Sequence, residues 1–518
     1  MTLGEVLRRE ARARPGKTAV VDARTRLTYA ALDELVDRGV AGLRAHGVRP
    51  GETVSCLLPN RAEAVVLFYA TARLGAVYSP IVPIYGAREV RFILRQTGSV
   101  LAVVPSHFRG VDYPALIERV RPDVPSLRSL VAIDEAFPSG FLGSPRARAG
   151  DGPAEPGAIA TILYTSGTTA DPKGALHSHR TLLTEASATE QLHRLGDDEV
   201  FVMPSPVSHI SGLLYGMLLP ITLGATSVLM ETWDPERFLD LVEQERGTYS
   251  AGATPFLQGV VDSPTLARRD LRSLRIFPCG GADVPPELIR RAIDRLGIRS
   301  GRGYGSTEFP SITSSSGRGV PLAKRAETDG APIGPNEIEL RDDAGNRVPV
   351  GGTGEVWARG PELFLGYRDP SLDAEAFDAA GFFRTGDLGF VDGDGYLTIT
   401  GRVKDIIVRG GEKISAKEIE DLLFEHPKVR HVAVVPMPDP KLGERVCAFV
   451  VPADPASPPA LEELVGFLTE RELSRRKLPE RLEIAEDLPT TASGKIRKDM
   501  LRESIAGKAR GGSSEGPR

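Results

Sequence analysis

Two rhythms of apolar and polar positions run along the chain. After Thr28, a residue suited to cap a helix, apolar side chains recur at Leu32, Leu35, Val36, Val40 and Leu43, and Gly47 supplies a stop. That spacing predicts an amphipathic helix. A strand from Thr53 to Leu58 follows, then a largely apolar helix from Ala62 to Leu74. Strand and helix in alternation predict an α/β fold, with helices covering a mainly parallel sheet. Ser211 to Met230 carries no charge over 20 residues, the length a bilayer demands. Gly212, Gly216, Pro220 and Gly224 interrupt it, and Thr226 to Met230 is strand-like. A buried helix followed by a buried strand is predicted there, and no membrane span.

Between Gly330 and Thr400 the texture changes. Short β-prone runs, Glu337–Leu340 and Gly354–Trp357, alternate with turn clusters around Asp342–Asn346 and Asp392–Gly395. This predicts hairpins forming a small barrel-like segment. Beyond Gly401 a compact α+β unit is predicted, with strands near His431–Val435 and Cys447–Val451. A helix there carries Leu461, Leu464, Val465 and Leu468 on one face. The expected division is a large unit over residues 1–401, a small one over 402–506, and a disordered tail over 507–518.

Composition narrows the function. The 518 residues are 41% hydrophobic, enough for several packed cores, and the net charge of −5 disfavours a general nucleic-acid binder. Cys56, Cys279 and Cys447 are far apart, with no metal-ligand spacing, so neither a disulfide scaffold nor a zinc site is expected. The N-terminus lacks the apolar core of a secretion signal, and a cytoplasmic location is expected.

Five segments carry candidate chemistry. Thr165-Ser166-Gly167-Thr168-Thr169-Ala170-Asp171-Pro172-Lys173-Gly174 follows the apolar run Ala160–Leu163. Its hydroxyls, glycines and Lys173 can surround phosphate oxygens, although a solvated polar turn would share much of this composition. It is not a GxxxxGK[ST] loop, because Pro172 precedes Lys173. In Gly303-Tyr304-Gly305-Ser306-Thr307-Glu308 the tyrosine can lie on a planar base, Thr307 can donate to a phosphate, and Glu308 can hold Mg²⁺. A structural tyrosine in a turn fits the same residues. Asp387 in Arg384-Thr385-Gly386-Asp387-Leu388-Gly389 suits a grip on ribose hydroxyls, or an ordinary Asp turn. The last two segments run from Gly401 to Glu420 and from Thr490 to Ile496.

Their order resembles that of the adenylate-forming superfamily, which includes acyl- and aryl-CoA ligases, luciferases and peptide-synthetase adenylation domains. The resemblance extends from about Leu27 to Leu501 and includes the run GRVKDIIVRGGEKISAKEIE. It implies that Thr165, Ser166, Gly167, Thr168, Thr169 and Lys173 handle the departing phosphates. Gly280, Gly281 and Ala282 would line the adenine and acyl sites, and Tyr304 would stack on adenine. Thr307 would contact the α-phosphate, Glu308 the Mg²⁺, and Asp387 and Arg402 the ribose. Lys495 would bridge the substrate carboxylate and α-phosphate, and His209 would gate the acyl pocket. Gly410 and Gly411 would border the pantetheine tunnel, and Lys404 would be the hinge of a mobile 402–506 lid.

The implied reaction is ATP-dependent formation of an acyl-adenylate, then of a thioester with CoA. Two alternatives remain: an enzyme that stops at acyl-AMP or loads an acyl carrier protein, and a non-catalytic adenylate-binding module. Ala170 departs from the family's usual glycine, and all the contact residue types are otherwise present. Pro204 to Gly212 lacks the aspartate with which amino-acid-activating relatives hold an ammonium. Gly212, Gly216, Gly252, Ala253, Gly280 and Gly281 are expected to leave room for a bulky cyclic, even terpenoid, carboxylate. Backbone packing is the other use such glycines have.

Overall fold

Strand Thr53–Cys56 sits inside a six-stranded sheet of order Lys173–Ser178, Ile159–Thr165, Val77–Pro80, Thr53–Cys56, Leu101–Pro105, Ser129–Ile133. This computed structural model describes residues 1–134, 136–137, 141–143, 154–165, 172–491 and 494–511. Val77–Pro80 and Leu101–Pro105 run parallel to the central strand and are buried along their length. Strands covered on both faces read as such continuous apolar runs. Helix Ala62–Leu74 is buried at every position. Beside it, helix Tyr29–Ala45 is capped by Thr28, whose Oγ1 accepts from Ala31 N at 3.2 Å. Gly47 follows at φ +75°.

Within this sheet one pair is antiparallel. Lys173–Ser178 returns along Ile159–Thr165 with Lys173 directly opposite Thr165. Thr165 and Lys173 therefore lie side by side at the ends of two neighbouring strands.

A second sheet orders Val200–Met203, Thr226–Leu229, Thr18–Val21 and Arg26–Thr28. Single parallel bridges from Phe201 to Tyr249 to Ile276 to Arg299 lead on to the sheet of Cys279–Gly280, Arg302–Tyr304, Thr313–Ser314 and Ala331–Pro332. Gly252 bridges Cys279, and Gly280 pairs with Gly303. These glycines thus meet at the carboxyl ends of parallel strands, where α/β folds place their ligands. The charge-free segment is buried inside the protein. It has an α turn over Ile210–Gly212, a wider π turn over Leu213–Leu218, an α turn over Leu219–Leu223, then strand Thr226–Leu229. Among the described residues no helix is long and apolar enough to cross a membrane.

The hairpin-rich stretch is an antiparallel meander of Glu337–Arg341, Thr353–Arg359, Phe383–Val391 and Leu397–Arg402. The turn Val403–Asp405 leads from it into a five-stranded sheet containing Val429–Asp439 and Gly443–Pro452. Alternate residues of these two strands serve opposite faces. Val432 and Val434 pack with Ile419, Leu423, Leu464 and Leu468, whereas Ala433 and Val435 pack with Leu501 and Ile505. Those last contacts anchor helix Lys498–Gly511, whose backbone continues past Gly507 into the expected tail. Residues 512–518 lie outside the described residues.

Candidate active site

Tyr304 ends its strand, and its hydroxyl donates to Asp387 Oδ2 at 2.8 Å. Asp387 lies opposite Arg402 in the meander, and Arg402 Nε donates to Oδ1 at 2.8 Å. Gly386 at φ +75° turns the chain before Asp387, and Thr385 Oγ1 accepts from Asp387 N at 3.1 Å. The Asp387 charge raises the Arg402 pKa, and burial pushes the Tyr304 phenol well above its usual range. Three residues from two sheets are thereby locked around one carboxylate.

Thr307 and Glu308 follow on a loop held from behind. The Thr307 carbonyl accepts from His177 Nε2 at 2.8 Å. Burial lowers His177 to about 4, so the ring is neutral and carries its proton on Nε2. The Glu308 carbonyl accepts from Phe364 N at 2.8 Å, and its Oε1 accepts from the Tyr367 hydroxyl at 2.8 Å. Lys173 Nζ lies 5.2 Å from the centre of the Tyr367 ring, within cation–π range. Lys173, at the start of strand Lys173–Ser178, thus stands beside the tyrosine that anchors Glu308.

Lys495 arrives from the C-terminal unit. Its N–H donates to Thr491 Oγ1 at 3.1 Å, and its carbonyl accepts from Thr491 N at 2.8 Å. Beside it, Gly494 at φ +83° presses on Pro255, where an added Cβ would lie 3.0 Å from Cγ. Gln258 Nε2 also crosses between the units, donating to Arg430 O at 3.3 Å. Loss of hydration and then the charge of Arg402 lower Lys495 to about 8, against the opposing charges of Asp387, Glu308 and Asp283. His209 caps the turn Ile210–Gly212, and burial followed by the charge of Lys495 lowers it to about 4. Tyr304, Glu308, Asp387, Arg402, His209 and Lys495 therefore share one crevice.

A family model described as AMP-binding enzyme matches residues 7–368, and one described as AMP-binding enzyme C-terminal domain matches 418–495. The chain belongs to this adenylate-forming family. It is 37% identical to the medium-chain fatty-acid–CoA ligase of Escherichia coli (strain K12), over 97% of this chain and 90% of that protein. It is 36% identical to a feruloyl-CoA synthase of Amycolatopsis sp, over 95% and 97% of the two chains. The solved anthranilate CoA ligase AuaEII, in complex with anthranoyl-AMP, superposes with TM-score 0.91 at 26% identity, covering 98% of each chain.

As a member of this family the chain is an AMP-forming acid–thiol ligase that uses ATP and CoA. Magnesium is typical of such enzymes, and the residues suit it. Glu308 is buried, offers a hard oxygen donor, and is anchored through Oε1, leaving Oε2 outside that bond. Among the described residues no group of three or more His, Cys, Asp or Glu side chains forms a closed metal cage.

The structure separates the expected site residues. Ser166, Gly167, Thr168, Thr169 and Ala170 lie outside the described residues, flanked by Thr165 and Lys173. Gly410 and Gly411, at φ +57° and +86°, form a hairpin turn held by Leu442 O, which accepts from Gly410 N at 2.7 Å. That turn is tied to its own sheet.

The small residues expected to give room mostly do not. A Cβ on Gly212 would stand 2.0 Å from Pro206 O, and one on Gly280 would stand 2.2 Å from Gly303 O. On Gly216 and Gly252 it would stand 2.8 Å from Met203 and Phe256 side chains. These glycines serve close packing, which corrects the expectation of a roomy pocket drawn from them. Gly281 and Gly303 alone among the glycines just discussed face open space.

Three residues of the crevice escaped the sequence reading: His177, Tyr367 and Asp283. Asp283 is pushed up by loss of hydration but held below its usual range by Lys417, Lys498, Arg402 and Lys495. Nothing local marked His177 or Asp283.

Proposed function

We propose that the chain activates an apolar carboxylic acid, with no ammonium group, at the crevice around Tyr304 and Lys495. The observation that carries this reading is the convergence of a C-terminal lysine on the charges of Glu308, Asp387 and Arg402. Adenylate formation brings a carboxylate to an anionic phosphate, so fixed positive charge and positioning supply most of the catalysis. In this reading Lys495 neutralises the charge gathering between acid and α-phosphate, and Thr307 donates to that phosphate. Asp387 and Arg402 hold the ribose, Tyr304 and Gly280 to Ala282 border the adenine, and Thr165 to Thr169 with Lys173 grip the departing pyrophosphate. Glu308 would hold Mg²⁺, whose charge helps offset that of the phosphates. His209, neutral at pH 7, stands between this site and the incoming thiol.

Ile210 follows His209, and Pro204 to Gly212 contains no acidic residue to balance a buried ammonium. Relatives named for a medium-chain fatty acid and for a feruloyl group support an apolar acid of aliphatic or aromatic body. We place this reaction in the cytoplasm, with CoA rather than an acyl carrier protein as acceptor. Between the half-reactions the unit after Lys404 rotates, withdrawing Lys495 and bringing Gly410 and Gly411 to the thiol path.

The test is acid-dependent ATP–pyrophosphate exchange over a panel of fatty, aryl and alicyclic acids and amino acids, with CoA and holo-carrier protein compared as acceptors. Exchange with an apolar acid and transfer to CoA are expected; exchange only with amino acids would refute the reading. Lys404→Pro should spare exchange and cripple thioester formation, and equal loss of both would remove the hinge.

A further inference from the structure

Behind the Thr307–Glu308 loop two glutamates meet in the core. Glu185 lies on helix His179–His193 and is 1% exposed; Glu362 lies before Tyr367 and is 0% exposed. Glu185 Oε1 accepts from Ser311 Oγ at 2.6 Å and from Thr189 Oγ1 at 3.2 Å. The Tyr215 hydroxyl, from the π turn, donates to Ser311 Oγ at 3.2 Å. On the other side Glu362 Oε2 accepts from Asn336 Nδ2 at 3.3 Å, which also donates to Ser311 O at 2.9 Å. Each glutamate therefore has one satisfied oxygen. The other two, Glu185 Oε2 and Glu362 Oε1, are buried with no hydrogen-bond donor.

Two ionised carboxylates cannot satisfy each other, since both only accept. Ser311 and Asn336 nevertheless link them: Ser311 Oγ donates to Glu185, and the Asn336 amide donates both to Ser311 O and to Glu362. One proton resolves both orphaned oxygens. We propose that Glu185 and Glu362 share a single proton between Oε2 and Oε1, and that this pair is a positioning device for the nucleotide loop. Burial raises both groups, and the neighbouring charge of Glu185 raises Glu362 further, so the pair retains one proton at neutral pH. The titratable groups facing the pair are the phenols of Tyr215 and, beyond it, Tyr249. Both are raised by burial, and Tyr249 in turn feels Arg299 and Glu199. Neither phenol changes charge near neutrality.

The pair ties together the three segments that bear the site. Tyr215 lies six residues beyond His209 and Ser311 three beyond Glu308, and Phe364, two beyond Glu362, donates its N–H to the Glu308 carbonyl. The positioning role rests on the nucleotide reading of Thr307 and Glu308; the shared proton does not.

A carboxyl kept protonated by the fold stabilises the folded chain fully below the ordinary carboxylate range. That contribution erodes as pH rises and is gone above the folded value. Glu362→Gln keeps a donor without titrating. Its melting temperature relative to the parent should therefore rise steadily from about pH 5 to about pH 9. An infrared carboxylic-acid carbonyl band present at pH 7 in the parent should vanish in the variant. Mg·ATP binding by calorimetry should stay within about threefold for Glu362→Gln and weaken at least about tenfold for Glu362→Ala. A melting difference flat with pH, together with no lost band, overturns the shared proton. Equal loss of Mg·ATP binding in both variants overturns the positioning role. Should Glu362→Ala not fold, the Gln variant decides by the same criteria: retained binding supports the role and lost binding overturns it. Parent protein that fails to bind Mg·ATP overturns the nucleotide reading and the positioning role, while the infrared band still decides the proton.

Discussion

The two sides of the crevice are built in opposite ways. On the side we propose for the nucleotide, polar side chains reach one another across separate sheets: Tyr304 and Arg402 clasp Asp387, Tyr367 anchors Glu308, and Lys495 enters from the C-terminal unit. On the side we propose for the acid, Gly212, Gly216, Gly252 and Gly280 have their would-be side-chain space filled by neighbouring atoms. The first wall acts through charges whose removal costs rate. The second acts through shape whose disturbance costs stability. The most severe test of this contrast is Lys495→Ala. It should cut acid-dependent pyrophosphate exchange by about 10²–10³, the usual cost of one preorganised donor, with the melting temperature little changed. Near-parent exchange would place the chemistry elsewhere.

Tyr367→Phe probes the same wall more gently. It removes the donor to buried Glu308 Oε1 and keeps the ring beneath Lys173. A hydrogen bond to a buried charge is worth about 1.5–3 kcal/mol. Exchange at low Mg²⁺ should therefore fall by roughly tenfold or more and recover in part as Mg²⁺ is raised. Loss without any Mg²⁺ dependence would detach Tyr367 from the metal-holding role of Glu308.

The opposite wall calls for a stability measurement. Gly280→Ala forces a methyl against Gly303 O and should destabilise the fold by about 1–3 kcal/mol in denaturant titration. Gly303→Ala points its methyl into open space, so it should leave stability nearly unchanged and alter which acids support exchange. Equal destabilisation by both would erase the distinction between packed and pocket-facing glycines.

This contrast also explains what the sequence disclosed. The proposed nucleotide wall could be named from the sequence because Tyr304, Glu308, Asp387, Arg402 and Lys495 carry distinctive functional groups in motifs whose order resembles that of the adenylate-forming family. Helix Tyr29–Ala45 was legible for a similar reason: its apolar spacing and Thr28 cap are local. The acid wall was not, because a glycine in a sequence does not say which neighbour occupies the space beside it. The π turn over Leu213–Leu218 carries the same apolar residues as an α-helix, and its width is set by surrounding packing. Asp283 and His177 owe their places to chain segments far away in sequence, and no local pattern announces either.

The last effect is set by pH, and it asks whether the charged wall depends on one titrating group. Lys495 is lowered to about 8 by loss of hydration and by Arg402, so its charge is present below that value and lost above it. The kcat/KM of adenylate formation reports the free enzyme, so it should fall about tenfold per pH unit above roughly pH 8, or ~1.4 kcal/mol per unit. A lysine at its ordinary value would give no such limb below about pH 10. Lys495→Arg carries a charge that does not titrate in this range. Whatever its absolute rate, its profile should lose that limb. A limb that survives Lys495→Arg but disappears in Glu362→Gln would belong to the shared carboxyl proton instead. The charged wall would then depend on its buried support more than on the lysine that enters it.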